Sequence, residues 1–452
     1  VQLPGHHHVI RIEPGDTTPR QFGIAIDIGT TTVNVLLIDQ TTWSIMGIRA
    51  DYNAQIKCGL DVISRINYAG RSDRLEELRL LVLKTVNDLI RQVSEDGAVH
   101  PEEICNAVIS GNTTMIHLLL GLNPEYIRLE PYTPTLFEVP FLPATETGIE
   151  IMPGSRVYLS PAVGSYVGGD ITAGLLCTGL STDTDEINLF IDIGTNGEIA
   201  LGNSEFLMTC ACSAGPAFEG GGIEHGMRAA MGAIENVGID RETGSATWST
   251  IEEVEPIGIC GTGMISLLSN LFITGWMDPA GKLNRTKASP NISISSRHAF
   301  YTIVTAEESG TSKPILISEA DIANIIRAKA AIYSACCLIM NQLGIEFKDI
   351  ANVYIAGAFG RSLDLRASTV IGLIPDLPPE RFRFIGNASL MGSYMVLISQ
   401  DYREKQLHLA RRSTYVDLSK YPDYMNQYTA AQFIPHTDLN HFPAVKAMMS
   451  EE

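Results

Sequence analysis

One phrase occurs twice, and it limits what this chain can fold into. Residues 22–39 read Phe-Gly-Ile-Ala-Ile-Asp-Ile-Gly-Thr-Thr-Thr-Val-Asn-Val-Leu-Leu-Ile-Asp, and residues 189–198 read Leu-Phe-Ile-Asp-Ile-Gly-Thr-Asn-Gly-Glu. Each copy is an apolar strand, suited to burial on both faces, that stops on an aspartate, turns through Gly-Thr and enters another strand. Gly29, Gly194 and Gly197 permit a tight turn or a close approach, while Thr30, Thr31, Thr195 and Asn196 offer hydroxyl and amide donors. Backbone N–H groups in such a turn can cradle phosphate oxygens, and the carboxylates of Asp27 and Asp192 can hold Mg²⁺ directly or through water. A single copy reads equally as a hairpin whose polar residues bond only to the turn. A duplicated turn facing its twin across a cleft would grip a nucleotide's phosphates from two sides.

The rest of the chain follows the same duplication. After the first phrase, strand-like runs at 23–27, 33–38 and 44–49 predict an antiparallel meander. A stripe of Leu75, Leu78, Val82, Val86, Leu89 and Val93 predicts a helix from Ser72 to Val93, with Asp73 and Glu76 at capping-box spacing. Strands at 107–110 and 156–159 follow, each leading into a helix, with an irregular proline-rich connection at 124–153. The second half repeats the order: strands at 188–192, 198–201 and 206–210, a helix from Asp321 to Leu343, then strands at 352–355 and 383–385. The chain thus reads as a duplicated α/β unit of pattern βββαβαβα. The expected divisions are a linker or end of a preceding domain at 1–21, a first half at 22–181, a second half at 182–400 with an inserted subdomain at about 211–320, and a C-terminal extension at 401–452.

Bulk properties narrow the function. A length of 452 residues suits two or three domains, and 51 acidic against 32 basic residues give a formal charge of −19, which opposes nucleic-acid binding. No uninterrupted apolar run is long enough to span a membrane and no signal-peptide core is visible, so the expectation is a cytoplasmic protein with no membrane partner. Cys58, Cys105, Cys177, Cys210, Cys212, Cys260, Cys336 and Cys337 are scattered without a Cys-x-x-Cys pair, a pattern of buried thiols rather than cluster ligands. His6-His-His8 reads as a solvated loop, and Glu219-Gly-Gly-Gly222 with His225 as a flexible loop at the cleft or a partner surface.

Two Asp-x-Gly-Thr corners, the glycine-rich Ala356-Gly-Ala-Phe-Gly360 after the later fourth strand, and helices after both fifth strands resemble the acetate and sugar kinase, Hsp70 and actin superfamily. That resemblance implies duplicated ribonuclease H-like domains that bind ATP with Mg²⁺. It makes 27–31 and 192–197 the two phosphate motifs and gives Gly357, Ala358 and Gly360 the adenosine motif. It also places Asp170, in Asp-Ile-Thr-Ala-Gly174, on the first connecting helix, where related ATPases carry an acidic residue near the metal-bound water. Asp170 then either orients water or caps its own helix. Gly261 and Gly263, ahead of a helical run, either bring a helix N-terminus to the nucleotide or serve close packing. Lys329 either flanks adenine or is solvated.

A narrower resemblance rests on Gly-Asn-Thr-Thr-Met at 111–115, Cys-Ser-Ala-Gly-Pro-Ala-Phe-Glu-Gly-Gly at 212–221, Ile-Cys-Gly-Thr-Gly-Met at 259–264 and Tyr-Ile-Ala-Gly-Ala-Phe-Gly at 354–360. The tail from Val416 through Tyr424 and from Pro435 through Asp438 adds to it. These resemble the corrinoid-protein reductive activators, which couple ATP binding and hydrolysis to reduction of inactive Co(II) corrinoid to Co(I). The resemblance implies a corrinoid protein of a methyltransferase system as partner and is compatible with a homodimer. It further implies an electron from an iron–sulfur cluster whose ligands this chain does not display, so a missing domain or separate donor is expected. The alternatives are a small-molecule kinase using the same cleft and a nucleotide-gated scaffold.

Overall fold

The computed structural model describes residues 2–3, 6–7, 12, 15–287, 289–295, 298–357 and 363–450. It divides into two compact units. Unit 1 takes residues 1–185, 202–209 and 387–415, and unit 2 takes 186–201, 210–386 and 416–452. The sequence repeat and the compact units are therefore different partitions of the chain.

In unit 1, β1 (Phe22–Ile28), β2 (Thr32–Asp39) and β3 (Ser44–Tyr52) form the antiparallel meander. They continue into β4 (Ile104–Gly111), β5 (Leu142–Pro143) and β6 (Arg156–Leu159) in the sheet order β3-β2-β1-β4-β6-β5. The two-residue period of β1 and β2 sends Ile24, Ile26, Ile28, Val33, Val35 and Leu37 to one face, under the helix Ser72–Asp96. Ala25, Leu36 and Ile38 go to the other face, against Leu390 of the helix Ala388–Ile398. Asp27 shares the parity of Ala25, so its carboxylate emerges on that second face. The expected capping box at the start of the long helix does not form. Helical geometry begins at Ser72, so Asp73 lies inside the first turn and binds the Arg71 guanidinium at 2.9–3.0 Å. Its charge still suits the positive end of the helix dipole. The 124–153 connection is more ordered than expected, with helical turns at Glu125–Arg128 and Ala144–Thr147 and β5 paired antiparallel to β6.

The second sheet repeats the plan. Its strands β7 (Ile187–Ile193), β8 (Gly197–Gly202), β9 (Leu207–Cys212), β10 (Ile350–Gly357) and β11 (Phe382–Gly386) run in the order β11-β10-β7-β8-β9, matching the order in the first. The residues between 212 and 319 add two three-stranded sheets and the helix Gly261–Ile273. The long helix runs Glu319–Asn341, starting two residues before Asp321 because Ser318 and Asp321 form a reciprocal capping box. It is long and apolar enough to cross a bilayer, yet 83% of its apolar window is buried inside the protein, as befits a core helix.

Candidate nucleotide-binding residues

The first turn is held from behind by buried polar side chains. Asn53, fully buried, donates its amide to the Gly29 carbonyl at 3.0 Å and its backbone N–H to the Thr31 carbonyl at 2.9 Å. Arg65, also fully buried, donates to the Thr30 carbonyl and, at 2.9 Å, to the Gly59 carbonyl. Burial lowers the Arg65 pKa to about 10, which leaves it cationic at neutral pH. Asn112, which caps the helix Thr113–Leu120, donates to the Thr30 hydroxyl at 3.0 Å. In a trans peptide the C=O and the following N–H point in opposite directions. Anchoring the Gly29 and Thr30 carbonyls inward therefore turns the Thr30 and Thr31 N–H groups the other way, as a phosphate cradle requires.

Asp27 is buried beside this turn. Its Oδ1 accepts the Ser389 hydroxyl at 2.7 Å, and its Oδ2 accepts the Asn387 amide at 2.9 Å and the Asn34 amide at 3.4 Å. Desolvation nevertheless raises its pKa. Asp170 lies in the first turn of the helix Gly169–Leu175 and accepts the Ile171 N–H at 2.9 Å. Burial and the charge of Asp27 push its pKa up to about 7. The crossing helices bring these groups together: a Cβ at Gly392 would lie 2.0 Å from the Ala173 carbonyl oxygen, so only glycine allows the contact. A buried carboxylate whose charge raises the proton affinity of a half-buried second one suits a divalent cation. Mg²⁺ fits this pair, since it is commonly held by one or two carboxylates together with phosphate oxygens and water. Three donors already occupy Asp27, which favours a contact through water.

In unit 2, Asp192 and Gly357 are neighbours. Ala356 and Gly357 pair in parallel register with Asp192 and Ile193. Gly357 has φ +109°, and a Cβ there would sit 2.2 Å from the Ile193 carbonyl oxygen and 3.1 Å from Asp192 Oδ1. Ala358 and Gly360 lie outside the described residues. In the second turn the Gly194 N–H donates to the Asn196 carbonyl at 3.0 Å, and the Thr195 hydroxyl donates to Glu219 Oε2 at 2.6 Å. Glu219 ends the short 3₁₀ turn Pro216–Glu219, so the stretch read as a flexible loop is a folded segment bonded to the turn. Gly263 packs: a Cβ there would lie 2.2 Å from the Ile234 carbonyl oxygen. Gly261 begins the helix Gly261–Ile273, whose N-terminus has no side-chain cap. Lys329 is not solvated. It is 1% exposed, and its ammonium donates to the Phe433 and Pro435 carbonyls at 2.6 and 2.7 Å, with its pKa lowered by desolvation.

Sequence reasoning missed Asn53, Arg65, Asn112, Asn387 and Ser389. Asn112 and Asn387 had a signal, as residues preceding helical runs, but the other three did not. All eight cysteines are thiols outside any disulfide, and among the described residues no group of three or more His, Cys, Asp or Glu is placed to hold a metal.

With this geometry in view, a family model described as the RACo middle region matches residues 22–183. A second, described as the C-terminal domain of RACo, the ASKHA domain, matches residues 186–446. The chain belongs to the RACo family. The fold of this RACo-family chain is accordingly that of the acetate and sugar kinase, Hsp70 and actin superfamily. Among its relatives is the corrinoid activation enzyme RamQ of Eubacterium limosum, 36% identical over 415 residues, covering 90% of this chain and 69% of that protein. Another is a Methanosarcina barkeri protein described as [Co(II) methylated amine-specific corrinoid protein] reductase, 24% identical over 420 residues, covering 87% of this chain and 73% of that protein. A solved reductive activator for corrinoid, iron-sulfur protein is 48% identical, with a TM-score of 0.90 over 96% of this chain and 69% of that one.

Proposed function

We propose that this RACo-family chain is an ATPase that reductively activates a corrinoid protein, returning inactive Co(II) to Co(I) for methyl transfer. The observation that carries the reading is the 48% identity and TM-score of 0.90 to a reductive activator over 96% of this chain. The same match favours activation over a kinase or scaffold. In this reading the Gly29–Thr31 and Gly194–Asn196 turns each offer backbone N–H and hydroxyl donors to phosphate, and Gly357 with Ala358 and Gly360 serves the adenosine end. Mg²⁺, when bound, would offset phosphate charge; Asp27 and Asp170 are the carboxylates available to it beside the first turn, and Asp192 is the one beside the second. Asp170, the acidic residue that opens the first connecting helix, orients the water that attacks the γ-phosphate. Gly261, at the uncapped N-terminus of its helix, offers backbone N–H donors to the nucleotide. Gly263 and Lys329 serve packing and anchoring instead.

Hydrolysis drives the electron transfer only to the extent that nucleotide binds the activating conformation better than the resting one. One electron passes from an iron–sulfur domain or protein to Co(II), and a cytoplasmic location follows from that partnership.

The deciding experiment measures ATP hydrolysis with and without a purified Co(II)-state corrinoid protein, using its methyl-Co(III) state as control. Stimulation by the Co(II) state alone is the expected result, and equal rates with both states would refute the reading. Asp192→Ala should fold yet lose Mg·ATP turnover; unaltered turnover in the folded variant would remove Asp192 from the site.

A further inference from the structure

The contact between Thr195 and Glu219 has a chemical consequence for any phosphate held by the second turn. A threonine hydroxyl has a single proton to donate. Here that proton goes to Glu219 Oε2 at 2.6 Å. A phosphate oxygen that takes the same proton must displace the carboxylate, and the two anions also repel each other at that spacing. We infer that Glu219 is a positioning residue that competes with phosphate for the Thr195 hydroxyl, so that nucleotide binding moves the 215–227 segment. The inference rests on the proposal that 194–197 is a phosphate turn.

The segment is built to carry such a movement as one piece. Its backbone folds on itself, with the Gly221 N–H on the Pro216 carbonyl at 2.9 Å, the Gly220 N–H on the Ala217 carbonyl at 3.0 Å and the Gly226 N–H on the Ile223 carbonyl at 3.1 Å. At its far end the Met227 N–H donates to the Ile259 carbonyl and the Ile259 N–H to the His225 carbonyl, both at 2.9 Å. Ile259 lies two residues before Gly261, where the helix Gly261–Ile273 begins. The same segment is tied to the start of the long helix, since Asn324 donates its amide to the Gly222 carbonyl at 2.9 Å and Asp321 Oδ1 accepts the Glu224 N–H at 3.3 Å. Glu219 thus connects the turn that would sense phosphate to the starts of two helices in unit 2.

Calorimetric titration of the whole chain with ATP, with and without Mg²⁺, tests this in wild type, Glu219→Gln, Glu219→Asp and the same changes in a Thr195→Val background. Removing the competing charge-assisted bond should tighten ATP binding on the order of tenfold in Glu219→Gln. Glu219→Asp should stay near wild type, and in the Thr195→Val background Glu219→Gln should change affinity by less than about twofold. In wild type, ATP should also increase amide hydrogen exchange at 220–227. Unchanged affinity in Glu219→Gln while wild type binds ATP would overturn the competition alone. Weakening confined to Mg²⁺-containing titrations would overturn it in favour of a metal-linked carboxylate. Absence of binding in wild type would remove the phosphate-turn reading itself, and the inference with it.

Discussion

The two Asp-Ile-Gly-Thr turns share a sequence but are supported in opposite ways. In unit 1 the turn is fixed from behind: the Gly29, Thr30 and Thr31 carbonyls accept from buried Asn53 and Arg65, and Asn112 holds the Thr30 hydroxyl. In unit 2 the Thr195 hydroxyl donates instead to the carboxylate of Glu219, on a folded segment at the surface of the turn. Buried side chains bonded to main-chain carbonyls are costly to move, because each broken bond leaves a desolvated polar group. A carboxylate at a half-exposed turn can return to water. If both turns hold phosphate as proposed, the duplicated motif supplies one fixed and one adjustable contact.

The largest effect should come from breaking the fixed turn. Arg65→Ala would leave the Thr30 and Gly59 carbonyls without their donor and open a cavity, at a cost of about 3–5 kcal/mol. Lysine should restore little of it, since it lacks the guanidinium fork. Thermal unfolding checks this, and a melting temperature within a degree or so of wild type would mean that the turn stands without Arg65.

Next comes the carboxylate pair beside that turn. Asp170 retains a proton up to about pH 7 in the folded chain, against about 3.8 unfolded, so the unfolded state loses protons first. Stability should therefore fall as pH rises from about 4 to about 7, with a ceiling on the order of 4 kcal/mol. Asp170→Asn should flatten that slope, abolish ATP turnover and reduce stabilisation by Mg²⁺ at pH 8. Melting curves across pH, with and without Mg²⁺, read all three effects, and a slope unchanged in the variant would show that another group titrates there.

Gly357→Ala tests the strand-end support of Asp192. With φ +109° and a carbonyl oxygen 2.2 Å from the added carbon, it should cost about 2–3 kcal/mol and weaken ATP binding. The smallest effect belongs to the adjustable turn, where Thr195→Val should cost only about 1 kcal/mol. A loss as large as that of Arg65→Ala would erase the contrast between the turns.

Much of this was legible in the sequence for a physical reason. Strands that carry Asp27 and Asp192 just before their last residue follow from apolar runs broken by a turn and from a duplicated order, both of which are local patterns. The fixed support was not legible, because Asn53 and Arg65 belong to no period and acquire their role only when the fold brings them behind Gly29–Thr31. Asp170 could be placed at a helix start, but its coupling to Asp27 depends on two helices crossing at Gly392. Lys329 illustrates a misread signal. The helix around it is apolar on nearly every side, from Ile322 to Met340, and an all-apolar helix is a buried one. That pattern argued against both a solvated lysine and one beside adenine.

The partners of Lys329 also set a schedule. Its ammonium needs the carbonyls of Phe433 and Pro435, 104 and 106 residues further on. Asp27 likewise waits for Asn387 and Ser389, 360 and 362 residues later. At about 5–20 residues per second, a ribosome finishes the first strand many seconds before it releases those partners. The nascent chain must therefore hold a carboxylate short of two of its three donors and a long apolar helix in waiting, and neither group is fully satisfied until residues 387–389 and 433–435 have emerged.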